Sequence, residues 1–273
     1  MEVKKVVIRL DPNLIIQPMV RHLGEKQRLL ILASEAVGDF SGVELPPLIQ
    51  EMGWWNVQLA PKDLPLLKEE LLVWLIHEGI SSTMSTVHAC IDEAFKQLLT
   101  LEYARSDTSK NLSELMGRIS HKGRKLLKEE QMKPLEKRLK TLSGHGIVLV
   151  NSQFIQSVNG IRNCIEHRSG IVGTRDTKGT KLMKAEWQRM KIFYTKDGNE
   201  IELQPGKEHI ISDSTIMQGV EIVRRSFVLG SKLDISLRDF SDIGFTCWLF
   251  SLELAQRIES VIKSASGVPH TQE

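Results

Sequence analysis

The stretch VNGIRNCIEHRSGIV, residues 158–172, crowds Arg162, Asn163, Glu166, His167 and Arg168 into seven positions. These residue types suit chemistry on a phosphodiester. Arginine is permanently charged and presents a planar fork of donors matched to phosphate oxygens, and histidine takes or gives a proton near neutral pH. His167 would deprotonate a ribose 2′-hydroxyl or protonate the departing 5′-oxygen, and Arg162 would hold the charge that develops around phosphorus, all without a metal. Asn163, one helical turn before His167, would orient the imidazole or the phosphate. The same residues also have plainer uses. Arg162 and Glu166 are i and i+4 and can form an exposed ion pair, and His167 and Arg168 are cations favoured at a helix C-terminus. Cys164 and His167, three apart, share a helix face as two metal ligands would, but no second pair completes a site, so no metal is expected.

The elements that must position this cluster are legible from periodicity. Phe154, Val158, Ile161 and Ile165 recur at spacings of four, three and four, which predicts one apolar stripe on a helix that starts near Asn151. Ser169 and Gly170 close it, so the polar cluster lies on the outer face at the helix C-terminus. From Asp63 onward two long core helices are expected, DLPLLKEELLVWLIHEG and STMSTVHACIDEAFKQLLTLEYARS, the second with Val87, Ile91, Ala94, Leu98 and Leu101 on one face. The next helical stretch is broken at Pro134 and stopped by Gly144 and Gly146. A second arginine and histidine, Arg138 and His145, have a comparable gap, but Ser143 and Gly144 intervene and no polar residue follows the arginine, so this pair is discounted.

Flanking segments read differently. VKKVVIRL predicts a strand, followed by a helix with Asp11 as N-cap and Pro12 in its first turn. KQRLLILASEAVGDF reads as helix, and the run SGVELPPLIQEMGWWNVQLAPKD, broken by proline and glycine, reads as an irregular connection with a boundary near residue 60. After Gly170 the period changes to two. MKIFYTKDGNEIEL predicts a hairpin about Asp197-Gly198, and GVEIVRRSFVLGSKLDISL a second about Gly230-Ser231. Ser236 and Asp239 form a capping box that opens a long terminal helix, after which GVPHTQE should fray. The expected division is a small α/β element over 1–60, a helical core over 61–170, and hairpins with a terminal helix over 171–273. The class is mainly α, and α+β overall.

Composition removes several functions. Of 273 residues 41% are apolar and 26% charged, which describes a folding globular chain. A formal charge of +2 is too small for a general nucleic-acid binder, so any basic site is local. Cys90, Cys164 and Cys247 lack C-x-x-C spacing, which points to a reducing cytosol. No apolar run reaches the roughly 18 residues of a membrane span. There is no phosphate-binding P-loop, no dinucleotide fingerprint, no H-E-x-x-H and no G-x-S-x-G, and no cofactor is expected. The run from His121 to Lys140 holds eight Lys or Arg against three Glu, including Arg124 and Lys125. It reads either as an RNA-backbone contact or as the solvated face of a helix whose buried stripe is Leu135, Leu139 and Leu142. Trp54 and Trp55 either stack bases or anchor a loop, and Arg224-Arg225 are either an edge-strand device or an RNA contact.

Residues 162–167, RNCIEH, resemble the signature of the HEPN superfamily of all-helical ribonucleases and RNA-binding proteins, and RNCIEHRSGIV resembles the form RN-x-x-x-HR-x-G-x-V seen in bacterial members. The resemblance is specific over about fifteen residues and looser over the helices from 63 to 170. It implies a helical bundle, a homodimer in which the 151–170 helices meet, and metal-independent cleavage of RNA to a 2′,3′-cyclic phosphate. Carried over, Arg162 and His167 are the catalytic candidates and Asn163 the polar assistant, while Glu166, inside the motif, is not a fixed family position. Beside the resemblance, Arg168 and Glu166 next to the motif and Arg124 and Lys125 of the basic run are weaker RNA-contact candidates. The resemblance also implies a cytoplasmic toxin-type or phage-defence setting with a restraining partner protein. The alternative it allows is a non-catalytic module that binds RNA or protein, antitoxin-like or regulatory.

Overall fold

The computed structural model describes residues 10–27, 29, 32–33, 64–106, 123–196, 198–203 and 215–265. The expected N-terminal strand, most of the helix expected over 26–40, the Trp54-Trp55 pair and the terminal tail lie outside the described residues.

Helix α1 (Asn13–His22) begins as the sequence implies: the Asp11 carboxylate accepts from the Asn13 amide at 3.0 Å, which satisfies one of the donors a helix start leaves open. Its Ile15 and Met19 are buried against α2 (Leu64–Ser106) and α5 (Leu237–Ala265). Helix α2 corrects the expectation of two helices, because it runs unbroken for 43 residues through Gly79, Ile80, Ser81 and Ser82. A glycine in a helix costs only about 1 kcal/mol, and here Ile76, Ile80 and Met84 are buried on either side of it. Burial of that stripe outweighs the local break signal. A further helical stretch over 123–131 is followed by the break at Pro134 and by α3 (Leu135–Gly144), whose Leu135, Leu139 and Leu142 are buried as expected.

Helix α4 (Ser152–Arg168) is centred on the motif. Glu253 of α5 receives the Val150 and Asn151 amides at 2.7 and 3.0 Å and so closes its N-terminal end. Phe154, Ile155, Val158, Ile161 and Cys164 are buried, while Ile165 is partly buried against the same core. At the other end Ser169 is left-handed (φ 52) and Gly170 follows at φ 76, with the Gly170 amide donating to the Cys164 carbonyl at 3.1 Å. This is a Schellman-type stop. The His77 ring of α2 lies 2.7 Å from where a Cβ on Gly170 would stand, so both the backbone and the space demand glycine there.

The chain then forms one antiparallel sheet of order β2-β1-β3, from β1 (Leu182–Lys196), β2 (Asn199–Glu202) and β3 (Ile216–Val228). The first expected hairpin is present, with Lys196 opposite Asn199. The second is not. Gly230 and Ser231 do turn the chain, but the residues after them form only a bridge from Lys232 to Ile171, and β3 pairs instead along β1 from Leu182↔Val228 to Tyr194↔Ile216. Local alternation marks a strand without naming its partner, and the long-range pairing with β1 offered thirteen registered residues. Met183, Ala185 and Trp187 of β1 and Phe227 of β3 complete a core shared with all the helices. Along the part of β1 that β2 leaves unpaired, hydroxyls substitute for a strand: Ser157 of α4 accepts from the Glu186 amide at 2.6 Å, and Thr246 of α5 bonds both Gln188 backbone groups. The Ser236–Asp239 capping box opens α5 as expected, with Ser236 Oγ accepting from the Asp239 amide at 3.1 Å. No helix among the described residues is long and apolar enough to cross a membrane.

Candidate functional site

Helix α4 forms a wall of two clefts, and the motif residues divide between them. Arg162 and His167 are five residues apart, which at about 100° per residue sets them about 140° apart around the axis. His167, exposed, lines a cleft of about 670 Å³ between α4, the 173–181 loop and β1. Arg162 lines a second cleft of about 530 Å³ toward α2 and α3. Asn163 lies between them and lines both. The sequence rightly puts the cluster on the solvent side of the helix, but within one chain Arg162 and His167 do not share a cavity.

The His167 cleft owes its shape to Arg168. Its guanidinium is paired through two nitrogens with the nearly buried Asp176, whose carboxylate also accepts the Gly173 amide at 2.8 Å. The arginine side chain passes 2.8 Å from where a Cβ on Gly173 would stand, so the second glycine of the GIVG run makes room for it. The loop is tied further by Thr177, buried and bonded to the Thr174 carbonyl, and by Val172 and Gly230, whose amides reach across to Ser231 and Val172. On this frame Arg175 and Lys178 stand at the rim with Lys184 of β1, and none of the three has an ion pair among the described residues. Lys178 is held at φ 49, a backbone state that costs a non-glycine residue of order 1 kcal/mol. Of the cleft's acids, Asp176 is held by Arg168 and Glu186 pairs with Arg224 at 3.1 Å. The unbalanced charge facing His167 is therefore positive.

The second cleft is built around Arg138, of which 2% is exposed. It pairs with Asp92, donates to His88 Nδ1 at 2.8 Å and lies over the Phe95 ring. Burial, then Arg138, then Arg162 push the His88 pKa down to about 4 against the opposing pull of Asp92 and Glu166, so the ring is neutral at physiological pH. Arg162 donates through Nε to Glu166 at 2.8 Å, the ion pair that the spacing allows.

The remaining expectations resolve individually. Arg124 and Lys125 are exposed on the 123–131 stretch and line neither cleft. Arg225 is committed to Asp239 and to the Asp234 carbonyl, and Arg224 to Glu186, which accounts for that pair structurally. Arg138 and His145 stay apart, His145 facing Glu102 at 3.0 Å. Burial pushes the Cys90 and Cys164 thiols up to about 11, and Cys247 further, so none is a thiolate nucleophile near neutral pH. Sequence reasoning missed His88, Asp92, Arg175, Lys178 and Lys184, and it set Arg138 aside. A signal existed for Arg138, which sits three after Leu135 and four before Leu142, inside an apolar stripe. For the loop cations none existed, because their convergence on His167 depends on the Arg168–Asp176 tie. The chain matches no protein-family model, no curated protein and no solved structure.

Proposed function

We propose that the protein is a metal-independent endoribonuclease in which His167 is the acid-base group and Arg162 and Asn163 handle the phosphate, the activity that the HEPN-like motif implies. The observation that carries this is the exposed His167 at the rim of a cleft whose free charges, Arg175, Lys178 and Lys184, are all cationic. Such a groove attracts a polyanionic backbone and brings it past an imidazole. The reaction needs no cofactor. A histidine removes the proton of the ribose 2′-hydroxyl, the 2′-oxygen bonds to phosphorus, the bond to the 5′-oxygen breaks, and that oxygen takes a proton from a second acid, leaving a 2′,3′-cyclic phosphate and a 5′-hydroxyl. One chain presents one such histidine in this cleft, and its Arg162 opens elsewhere. Both facts favour a homodimer in which two α4 helices meet and each copy supplies what the other lacks. In this reading the enzyme works in the cytoplasm as a toxin-type or phage-defence effector restrained by a partner protein.

The test is cleavage of bulk RNA in EDTA. Wild type should cut and leave cyclic phosphate ends, whereas His167→Ala and Arg162→Ala should not, with circular dichroism unchanged. Equal cutting by the His167 variant would sink the assignment. A second reading, a non-catalytic module that binds RNA or protein, is favoured by one observation: Arg162 is already paired with Glu166 of its own helix. Wild type that binds RNA in the same assay without cutting it would select that reading.

A further inference from the structure

The cleft on the far side of α4 is assembled from three helices and the 131–134 turn. Helix α2 contributes Ser85, His88 and Asp92, α3 contributes Arg138, and α4 contributes Asn159, Arg162 and Asn163. Its one lining carboxylate is already satisfied. Asp92 receives Arg138 on one oxygen and Gln131 on the other at 2.8 Å. The donors are not. Arginine can only donate, so the Arg138–His88 contact makes Nδ1 the acceptor and places the proton of the neutral ring on Nε2. No hydrogen bond joins that Nε2–H to another described residue. Arg162 spends only its Nε on Glu166, leaving both terminal nitrogens open. Arg138 Nε is itself buried without a partner.

We propose that this cleft is a phosphate-binding site, in which His88 donates through Nε2 and Arg162 through its terminal nitrogens, while Arg138 and Asp92 are positioning residues that fix the His88 tautomer. The chemistry follows from the inventory: a space of about 530 Å³ lined by surplus donors and by one carboxylate, Asp92, both of whose oxygens are occupied, suits an oxyanion with several acceptor oxygens. His88 in this arrangement is a fixed hydrogen-bond donor. It does not act as a general base, because its only lone pair already faces Arg138. An arriving dianion would compensate the two arginine charges that hold the ring neutral and would raise its pKa. The groups that face this ring are Arg138, Arg162, Asp92 and Glu166, and the phosphate adds to the two carboxylates. Both a free phosphate and a phosphodiester carry the required oxygens.

Two measurements on the full chain test this without reference to RNA cleavage, so a protein that cuts nothing still answers. The first is the nitrogen-15 shift of the His88 ring in wild type: an unprotonated Nδ1 and a protonated Nε2 are expected, and the reverse tautomer overturns the proposal. The second is titration with inorganic phosphate and, separately, with a 2′-deoxy dinucleoside monophosphate that lacks the 2′-hydroxyl needed for cleavage. Saturable shifts of the His88 signals by both mark a site for phosphate as such, and by the dinucleotide alone a site for the diester. Arg162→Gln should weaken the binding at least tenfold. Shifts confined to His167, no saturation with either probe, or equal affinity in Arg162→Gln overturn it. Arg138→Gln, where it folds, should lose the single-tautomer signature. Where it does not fold, the wild-type tautomer and the Arg162→Gln titration decide alone.

Discussion

The two clefts on either side of α4 each hold a histidine and arginines, and they are built in opposite ways. In the His167 cleft the cations sit on a loop and a strand, exposed, and the one arginine with a tight carboxylate partner, Arg168, shapes the loop. In the His88 cleft the arginine at the centre is buried, and it fixes the histidine beside it. Exposure leaves a histidine able to exchange protons with a substrate, and burial against arginines removes that ability while fixing the direction of a hydrogen bond. On the proposed reading, proton transfer falls to the His167 side and phosphate recognition to the His88 side.

Substitution of the two histidines is the sharpest way to break this contrast. His167→Ala should reduce RNA cleavage by at least about 100-fold, the usual worth of a positioned acid-base group. His88→Gln, which keeps an acceptor for Arg138 and a donor for the cleft, should cost less than about tenfold, mostly as a higher KM. Comparable losses in kcat would mean that both histidines exchange protons and that the division is wrong. Next in size is Arg138→Ala, which strands Asp92 beside a cavity and should lower unfolding free energy by about 3 kcal/mol, read from denaturant midpoints at constant slope. Arg175→Ala should change the same midpoint by less than about 0.5 kcal/mol, because that residue has no ion pair to lose.

How far the sequence revealed these sites follows from the same contrast. The α4 stripe, the Ser169-Gly170 stop and the capping box at Ser236 are local patterns in which neighbours in sequence are neighbours in space, and each appears as read. The HEPN-like motif is equally local. The His88 cleft joins residues 85–92, 131–138 and 159–163, and no periodicity within one segment reveals that they converge. The second hairpin failed for the same reason, since alternation over 219–237 was real but the partner of β3 lay some thirty residues upstream in β1. The division near residue 60 is a local signal of the same kind, but Ile15 and Met19 of α1 lie in the core that contains α2 and α5.

The loop that frames the His167 cleft offers a finer test. Gly170→Ala meets both a positive φ and the His77 ring at 2.7 Å, so it should destabilise the chain by about 2 kcal/mol and loosen the 171–181 segment. Hydrogen exchange should rise in that segment ahead of α3. Faster exchange around α3 and His88 instead would show the two clefts to be one cooperative unit. Smaller again is the joint substitution Arg175→Gln, Lys178→Gln. It should raise KM for RNA about three- to tenfold, leave kcat in place and flatten the salt dependence by roughly two phosphate contacts. A loss in kcat would move those cations into the chemistry.

The smallest expected effect is the pH dependence of stability, where histidines of α1 and α2 and a carboxyl of α5 pull against each other. His88 has a folded pKa of about 4, below its ordinary 6.5, so the folded state binds fewer protons between those values. Its contribution is fully present above pH 6.5 and is lost as pH falls toward 4. Burial pushes His22 and His77 down as well, which adds to the same sign. Asp242 of α5 runs the other way: burial lifts its carboxyl to about 6 from 3.8 despite Arg238 and Arg189, so its proton is retained on folding and stability is lost as pH rises through that interval. With both groups partly solvated, each is worth about 1 kcal/mol after screening. Asp242→Asn should therefore stabilise the chain by about 1 kcal/mol at pH 7 and by nothing at pH 3.5, and it should expose the uncompensated histidine slope between pH 4 and 6.5. His88→Gln in that background should reduce the slope to the share that His22 and His77 carry. If the slope survives unchanged, His88 is not the neutral, arginine-held ring on which the contrast between the two clefts depends.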